Sequence, residues 1–341
     1  MRFSRYICKY VHYPKPEDDL EWIEKVNELC AAYDIDVLMP VFEERIRSLI
    51  KYRYLLKYKE KVLIPGSLLA FDTANNKGLL GAHMERYGIP APKSKLFGDQ
   101  DDLKLMITEL EFPLLAKPPL DTGGGDGIVK YDNRRLLEEH YKNQKLQFPV
   151  VLEQYIEGFD TGCNVLCREG KILAYTIQQG FLYGNKPFSP QIGLKMVHQE
   201  EVLEIATRLM ASLKWTGLAN IDLIYDIRRK QYLVLEVNPR YWLTLEGSLI
   251  AGVNFPWLYC QTVVGASFAV PEYKETKFIN LKGLVVSVKK DLKNLFSGEL
   301  LWIQSPLKFA LKDPLPMVYH FFWRTKNILV NRIRKKRINA A

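Results

Sequence analysis

The chain has 341 residues, 48% of them apolar, enough to bury a large core in two or three lobes, which excludes a disordered tail. Its five His show no HExxH or Ser/His/Asp signature and its five Cys (8, 30, 163, 167, 260) no CxxC pair, which argues against zinc hydrolysis and triad chemistry and for a reducing, cytosolic setting. The net charge of +9 is uneven: from Pro271 onward 15 Lys/Arg face 5 Asp/Glu, whereas the residues before it carry 33 and 34.

Residues 4–10 read as a strand. Pro14 and Pro16, followed by Glu17, Asp18 and Asp19, open a helix whose Leu20, Ile23, Val26, Leu29 and Cys30 recur at helical spacing. Residues 35–42 (IDVLMPVF) and 62–65 (VLIP) read as short buried strands, so residues 1–70 are α/β material with too few strands for a complete nucleotide-binding domain. A second lobe begins near Phe71. Residues 72–87 read as one helix containing Lys77 and ended by Gly88, and IPAP then leads into a strand. Taken alone, Lys77 is an ordinary solvated lysine.

Residues 112–117 and 128–131 read as paired strands joined by PPLDTGGGDG. Gly123, Gly124, Gly125 and Gly127 let backbone amides approach an anion, and Lys117 adds a point charge at the end of the entering strand. No GK[ST] follows and no helix opens after the glycines, so the loop is neither a Walker A motif nor a Rossmann fingerprint, and a flexible turn is the plainer reading. Residues 150–160 read as a strand running into a turn. Its Glu153 and Asp160 are either edge-strand charges or receivers of an adenine amino group and ribose hydroxyls. Residues 163–167 and 172–177 continue the sheet, with Cys163 and Cys167 on its core side, and residues 178–193 form a loop suited to a substrate lid. Helix 199–213 packs under the sheet through Val202, Ile205, Ala206, Leu209 and Leu213.

NIDLIYDIRRKQYLVLEVNPR, residues 220–240, reads as a hairpin alternating with period two. Ile221, Leu223, Tyr225, Leu233, Leu235 and Val237 mark one face; Asp222, Glu236 and Asn238 lie on the other. A turn with an odd number of residues centred on Arg229 sets Asp222 directly across from Glu236, and two like charges so placed repel. Asn238 follows at roughly 6.5–7 Å along the strand. Such all-oxygen ligands suit Mg²⁺ better than Zn²⁺, and Arg240 could reach a transferred phosphate. An ordinary surface hairpin with its acids facing water is the competing reading.

Taken in order, a lysine, a strand-end lysine with a glycine hairpin, E-x-x-I-x-G-x-D and D…E-x-N-P-R resemble the ATP-grasp superfamily over residues 71–265. NPRYW and AGVNFP are similar to stretches of the branch containing the carbamoyl-phosphate synthetase large subunit and carboxylate–amine ligases. The resemblance implies an α/β (α+β) ATP-grasp fold: two α+β lobes clamping ATP over residues 71–270, a partial N-terminal α/β domain over 1–70 and a basic extension over 271–341. It implies that Lys77 and Lys117 contact ATP phosphates and that Gly123, Gly124, Gly125 and Gly127 form the phosphate loop. Glu153, Gln154, Tyr155 and Ile156 would hold adenine, and Asp160 the ribose. Asp222, Glu236 and Asn238 would bind Mg²⁺, with Mn²⁺ as a substitute, and Arg240 would act with Lys117 on the phosphoryl intermediate. The implied reaction activates a carboxylate as an acyl phosphate, which an amine displaces; a non-ligating ATP binder of the same fold is the alternative. Substrate choice is expected from loop 178–193 and from Tyr241, Trp242 and Thr244. Asp126, inside the phosphate loop, must point away from nucleotide. The family also carries a fuller domain before the lysine helix, so truncation, a second copy, a partner chain or a degenerate relative all stay open.

No signal-like stretch opens the chain and no apolar run reaches the ~20 residues of a membrane span. Residues 315–337 mix aromatics with cations. They read as a packed helix with a solvated basic end or as an amphipathic helix on an anionic membrane face, with Tyr319, Phe322, Trp323 and Ile333 entering the headgroups; nucleic acid is the weaker candidate partner.

Overall fold

The computed structural model describes residues 2–14, 16, 18–99, 103, 107–120, 125–184, 188–320, 322, 323, 326 and 327. They fall into two compact units, Asp18–Phe278 and a second made of Met1–Glu17 with Ile279–Ala341.

In the larger unit the Asp18 carboxylate accepts the Glu21 N–H and starts α1 (Asp19–Ala32), which α2 (Glu43–Lys51) follows. The strands expected over 35–42 and 62–65 reduce to one parallel bridge, Leu38 with Val62. The Tyr259 hydroxyl accepts the Leu63 N–H at 2.9 Å and faces the carbonyls of Leu38 and Leu63 at 3.0 and 3.2 Å. A side chain thus satisfies backbone groups that a ladder would have used, and Pro40 and Pro65 withhold donors.

Two helices, α3 (Leu68–Asn75) and α4 (Lys77–Arg86), replace the single one expected over 72–87. Asn76 is extended at φ −115° and its side chain accepts from the N–H groups of Gly78 and Leu79, so one helix stops and the next is capped at the same residue. Lys77 therefore opens α4 instead of lying inside a helix, and its N–H donates to the Pro119 carbonyl at 2.8 Å. Gly88, at φ +61°, lies just past the helix end.

A four-stranded antiparallel sheet in the order β1-β4-β2-β3 comes next: β1 (Ser94–Phe97), β2 (Leu114–Lys117), β3 (Val129–Tyr131) and β4 (Val150–Gln154). Its core packs Leu137 of α5 (Arg134–Lys142) with Leu114, Ala116 and Leu152. The strand expected over 150–160 breaks in two. After a link at 155–157 the chain enters β5 (Gly158–Arg168), which belongs to another sheet. Gly158 allows that crossing, because a Cβ there would collide with the Tyr225 carbonyl.

With β5, the strands β6 (Lys171–Tyr183), β7 (Gln191–Val197), β8 (Gly217–Asp226), β9 (Gln231–Asn238) and β10 (Lys277–Ile279) form a six-stranded sheet, order β10-β7-β6-β5-β8-β9. Strands β6 and β7 take most of the loop expected over 178–193, leaving 184–190, of which 185–187 lie outside the described residues. On one face α6 (Glu200–Ser212) packs Val202, Ile205 and Leu209 against Cys163, Val165 and Cys167, the core role expected of both thiols; burial pushes the Cys163 thiol up to about 12. On the other face, α7 (Leu245–Ala251) and α8 (Phe255–Val263) contribute Ala251, Phe255 and Leu258 to a second core with Leu194, Met196 and Trp242.

In the unit made of Met1–Glu17 and Ile279–Ala341, the described residues from Leu281 on are mostly short helices. Residues 4–10 form turns, not the expected strand: Ser4 Oγ and the Arg5 N–H bind the Asp313 carboxylate, and Arg5 Nη1 donates to the Lys312 carbonyl at 2.8 Å. Helix α9 (Leu281–Lys290), capped by Asn280, leads into a 3₁₀ turn, Leu292–Phe296, a π-helical turn, Glu299–Ile303, and α10 (Leu307–Lys312). Of the basic tail, residues 314–320 are helical and Ile333 lies outside the described residues. Among the described residues no helix is long and apolar enough to cross a membrane.

Candidate functional site

The hairpin β8–β9 brings Asp222 directly across from Glu236, as the sequence register required, but by a different route. The turn holds four residues, 227–230, and a bulge between the pairs Asp222–Glu236 and Leu223–Val234 restores the register. The bulge also exchanges the apolar set: Tyr232 and Val234, not Leu233 and Leu235, share the core with Ile221, Leu223 and Val237.

Lys77 Nζ lies 2.8 Å from Glu236 Oε2, so the first residue of α4 reaches the hairpin's polar face on β9. Burial works against the charged form of Glu236, but Lys77 and then Lys117 outweigh it and hold the carboxyl below its ordinary range. Asp222 goes the other way: burial first, then the Glu236 charge, raises its carboxyl well above the ordinary range. The pair therefore shares protons unequally, with Asp222 the protonated partner at acid pH. Asn238 Nδ2 lies 3.1 Å from Asp222 Oδ2 and 3.3 Å from Glu236 Oε1.

Asn238 is also one end of a buried row of amides crossing four strands. Arg240 Nη2 donates to Asn238 Oδ1 at 3.3 Å, Asn238 Nδ2 to Asn220 Oδ1 at 3.2 Å, Asn220 Nδ2 to Asn164 Oδ1 at 3.1 Å, and Asn164 Nδ2 to Gln178 Oε1 at 3.2 Å. Thr244 Oγ1 also donates to Gln178 Oε1, and Thr176 Oγ1 pairs with Ser248 Oγ. All the amides point the same way, so the segment 238–244 that carries Arg240 is pinned to the sheet at both ends. Arg240 Nε donates to Glu43 of α2, and its Nη1 to the Tyr241 carbonyl.

On the four-stranded sheet Lys117 Nζ is ion-paired with Glu153, both side chains buried. Gly125 and Gly127 have φ +77° and +83°, and a Cβ on Gly125 would strike the Phe188 carbonyl, so the glycine loop meets the turn after β6. Gly123 and Gly124 lie outside the described residues, and Asp126 is exposed. Gln154 ends β4, and Tyr155 and Ile156 begin the link between the sheets, with Lys130 Nζ 4.3 Å from the Tyr155 ring centre and Ile156 buried. Asp160, on β5, is raised by burial against a hydrogen bond from Gln191, and its charge adds to the upward push on Asp222.

The structure thus brings Lys77, Lys117, Asp222, Glu236, Asn238 and Arg240 together, with Asp160 close enough to act on Asp222. Glu43, Asn164, Gln178 and Asn220 escaped the sequence reading. The asparagines had a usable signal, since Asn is a poor strand former and each interrupts a strand; Glu43 had none.

The model of the ATP-grasp domain family matches residues 74–244, half of the chain. Over 182 residues the chain is 28% identical to the C-terminal section of the carbamoyl phosphate synthase large chain of Methanopyrus kandleri, covering 50% of this chain and 33% of that protein. It spans about a third of the length of that curated relative. The N5-carboxyaminoimidazole synthetase of Staphylococcus aureus, complexed with ADP, superposes with a TM-score of 0.66 at 18% identity, covering 85% of this chain and 74% of that one. The L-amino acid ligase of Bacillus licheniformis gives 0.55 at 22%, covering 73% and 61%. The biotin carboxylase domain of the Hydrogenobacter thermophilus 2-oxoglutarate carboxylase, in complex with MgADP, gives 0.59 at 16%, covering 74% and 59%.

Proposed function

The chain belongs to the ATP-grasp family, and from that premise we propose that it is a Mg²⁺-dependent ligase joining a carboxylate to an amine. A carboxylate oxygen attacks the γ-phosphorus of ATP, the bond to the β,γ-bridging oxygen breaks and ADP leaves. The amine nitrogen then attacks the acyl carbon, loses a proton and expels inorganic phosphate.

Lys77, Lys117 and the amides of Gly123, Gly124, Gly125 and Gly127 would hold the phosphates, the end of β4 and the start of the link, Glu153, Gln154, Tyr155 and Ile156, the adenine, and Asp160 the ribose. Glu153 would do so with its carboxylate engaged by Lys117. Arg240 would neutralise the acyl phosphate. Asp222 and Glu236 fit a hard dication, because their charges oppose each other across one ladder rung, and Asn238 joins them as a ligand if its amide turns its oxygen inward. Bound there, Mg²⁺ would withdraw charge from the phosphoryl oxygens.

The observation that supports this reading is the acidic pair of Asp222 and Glu236, ion-paired to Lys77 and acted on by the charge of Lys117 from another element, an arrangement suited to a metal–triphosphate complex. Phosphate release from ATP, measured with pools of carboxylates and amines, tests it: turnover in the wild type and its loss in Glu236→Ala support a ligase. The engagement of Arg240 by Glu43 favours a second reading, a nucleotide binder that does not ligate. Tight MgADP binding without turnover in any pool selects that one.

A further inference from the structure

The unit made of Met1–Glu17 and Ile279–Ala341 carries 17 Lys/Arg against 4 Asp/Glu, whereas Asp18–Phe278 carries 31 against 35. The basic unit also inverts the usual placement of polar and apolar side chains. In the turn Leu292–Phe296, Leu292 is 73% and Phe296 85% exposed, while Asn294 turns inward and its Nδ2 donates to the Ser287 carbonyl of α9 at 2.9 Å. In the next turn Trp302 and Ile303 face out, while Ser305 is fully buried and donates to the Leu301 carbonyl. Polar groups thus hold these two turns in place and leave their large apolar side chains outside. Exposed Lys289, Lys290 and Lys293 stand beside them in the chain.

We propose that these two turns bind the surface of an anionic lipid bilayer, with Leu292, Leu295, Phe296, Trp302 and Ile303 entering the headgroup layer and the lysines meeting lipid phosphates. The occupant follows from the chemistry. A second copy of the same turns would bring two strongly basic surfaces together. Nucleic acid would satisfy the lysines and stack on Phe296 and Trp302, but it offers nothing to Leu292, Leu295 or Ile303. A bilayer, anionic at its surface and apolar beneath, takes all of them. The inference does not rest on the ligase reading.

Flotation of the full chain with vesicles tests it, comparing neutral phosphatidylcholine with vesicles containing about 30 mol % phosphatidylglycerol. The protein is expected to float with the anionic vesicles at about 0.1 M salt and to be released at about 0.5 M, where screening is short-ranged. Leu292→Asp with Phe296→Asp, both at exposed positions, should lower the bound fraction at least about tenfold without changing the melting temperature. Lys289→Glu with Lys290→Glu should lower it roughly fivefold or more per residue. The proposal is overturned by no flotation, by equal flotation on neutral vesicles, by displacement of the vesicles by single-stranded RNA with both variant pairs binding vesicles as wild type, or by the apolar variant alone binding unchanged.

Discussion

The ion pair of Lys117 and Glu153 offers the sharpest test of how the four-stranded sheet is held. Both side chains are almost wholly buried, at 7% and 6% exposure, so removing either partner strands a charge that water cannot reach. Such an orphan costs about 3–5 kcal/mol, whereas replacing both partners with apolar groups of similar volume is often neutral. In a unit the size of Asp18–Phe278 each kcal/mol moves the melting temperature by about 2–4 °C, so Lys117→Met and Glu153→Leu should each lower it by about 6–20 °C. The double variant should recover most of either loss, giving a coupling of about 2 kcal/mol or more in a double-mutant cycle. The assay is thermal unfolding of wild type, both singles and the double, with and without MgADP. If Lys117 also meets a nucleotide phosphate, Lys117→Met should lose most of the ADP-dependent shift that the wild type shows. Singles costing under about 1 kcal/mol, or a double equal to their sum, would refute the buried-pair reasoning.

Two more predictions concern the hairpin. Because the Asp222 carboxyl is raised above its ordinary 3.8, in the metal-free protein it contributes stability below that value and loses it as pH rises through the raised one. A bound cation needs the carboxylate, so Mn²⁺ affinity in the presence of ADP should fall on acidification, approaching about tenfold per pH unit below the raised value; free Mn²⁺ measured by electron paramagnetic resonance checks this, and Asp222→Asn should flatten the profile. Asn220→Leu strands the Asn164 carbonyl oxygen and releases one anchor of Asn238, costing about 1–3 kcal/mol in urea unfolding. If the row of amides also sets Arg240, the turnover number should fall more than MgATP binding.

Much of this site was legible because charge and period survive without coordinates. The facing of Asp222 and Glu236 follows from the alternation of the hairpin, although the four-residue turn and its compensating bulge do not: two errors of one residue cancelled, and only the apolar partners Tyr232 and Val234 betray them. The break at Asn76 was available in principle, since Asn is a strong helix cap, but the apolar spacing of residues 72–87 runs through it. The crossing from β4 to β5 was hidden for the same reason, because an unbroken strand pattern does not say that a chain has changed sheets. The pairing of Arg240 with Glu43 joins residues 197 positions apart and leaves no local trace.

Periodicity fails in one direction, and that direction is informative. It assigns polar residues to water and apolar residues to the core, which is the cheapest arrangement for a residue whose only role is to fold. Asn164, Gln178 and Asn220 are buried where a strand ordinarily places hydrocarbon, and Leu292 and Phe296 are exposed where a charge would be more soluble. A row of one-directional amides, satisfied within itself, also orients what lies at its end, and an outward phenylalanine gains from a second apolar phase. The amides end at Arg240, where the transferred phosphate would be held, and Phe296 follows Lys289, Lys290 and Lys293 in the chain, where lipid phosphate would be held.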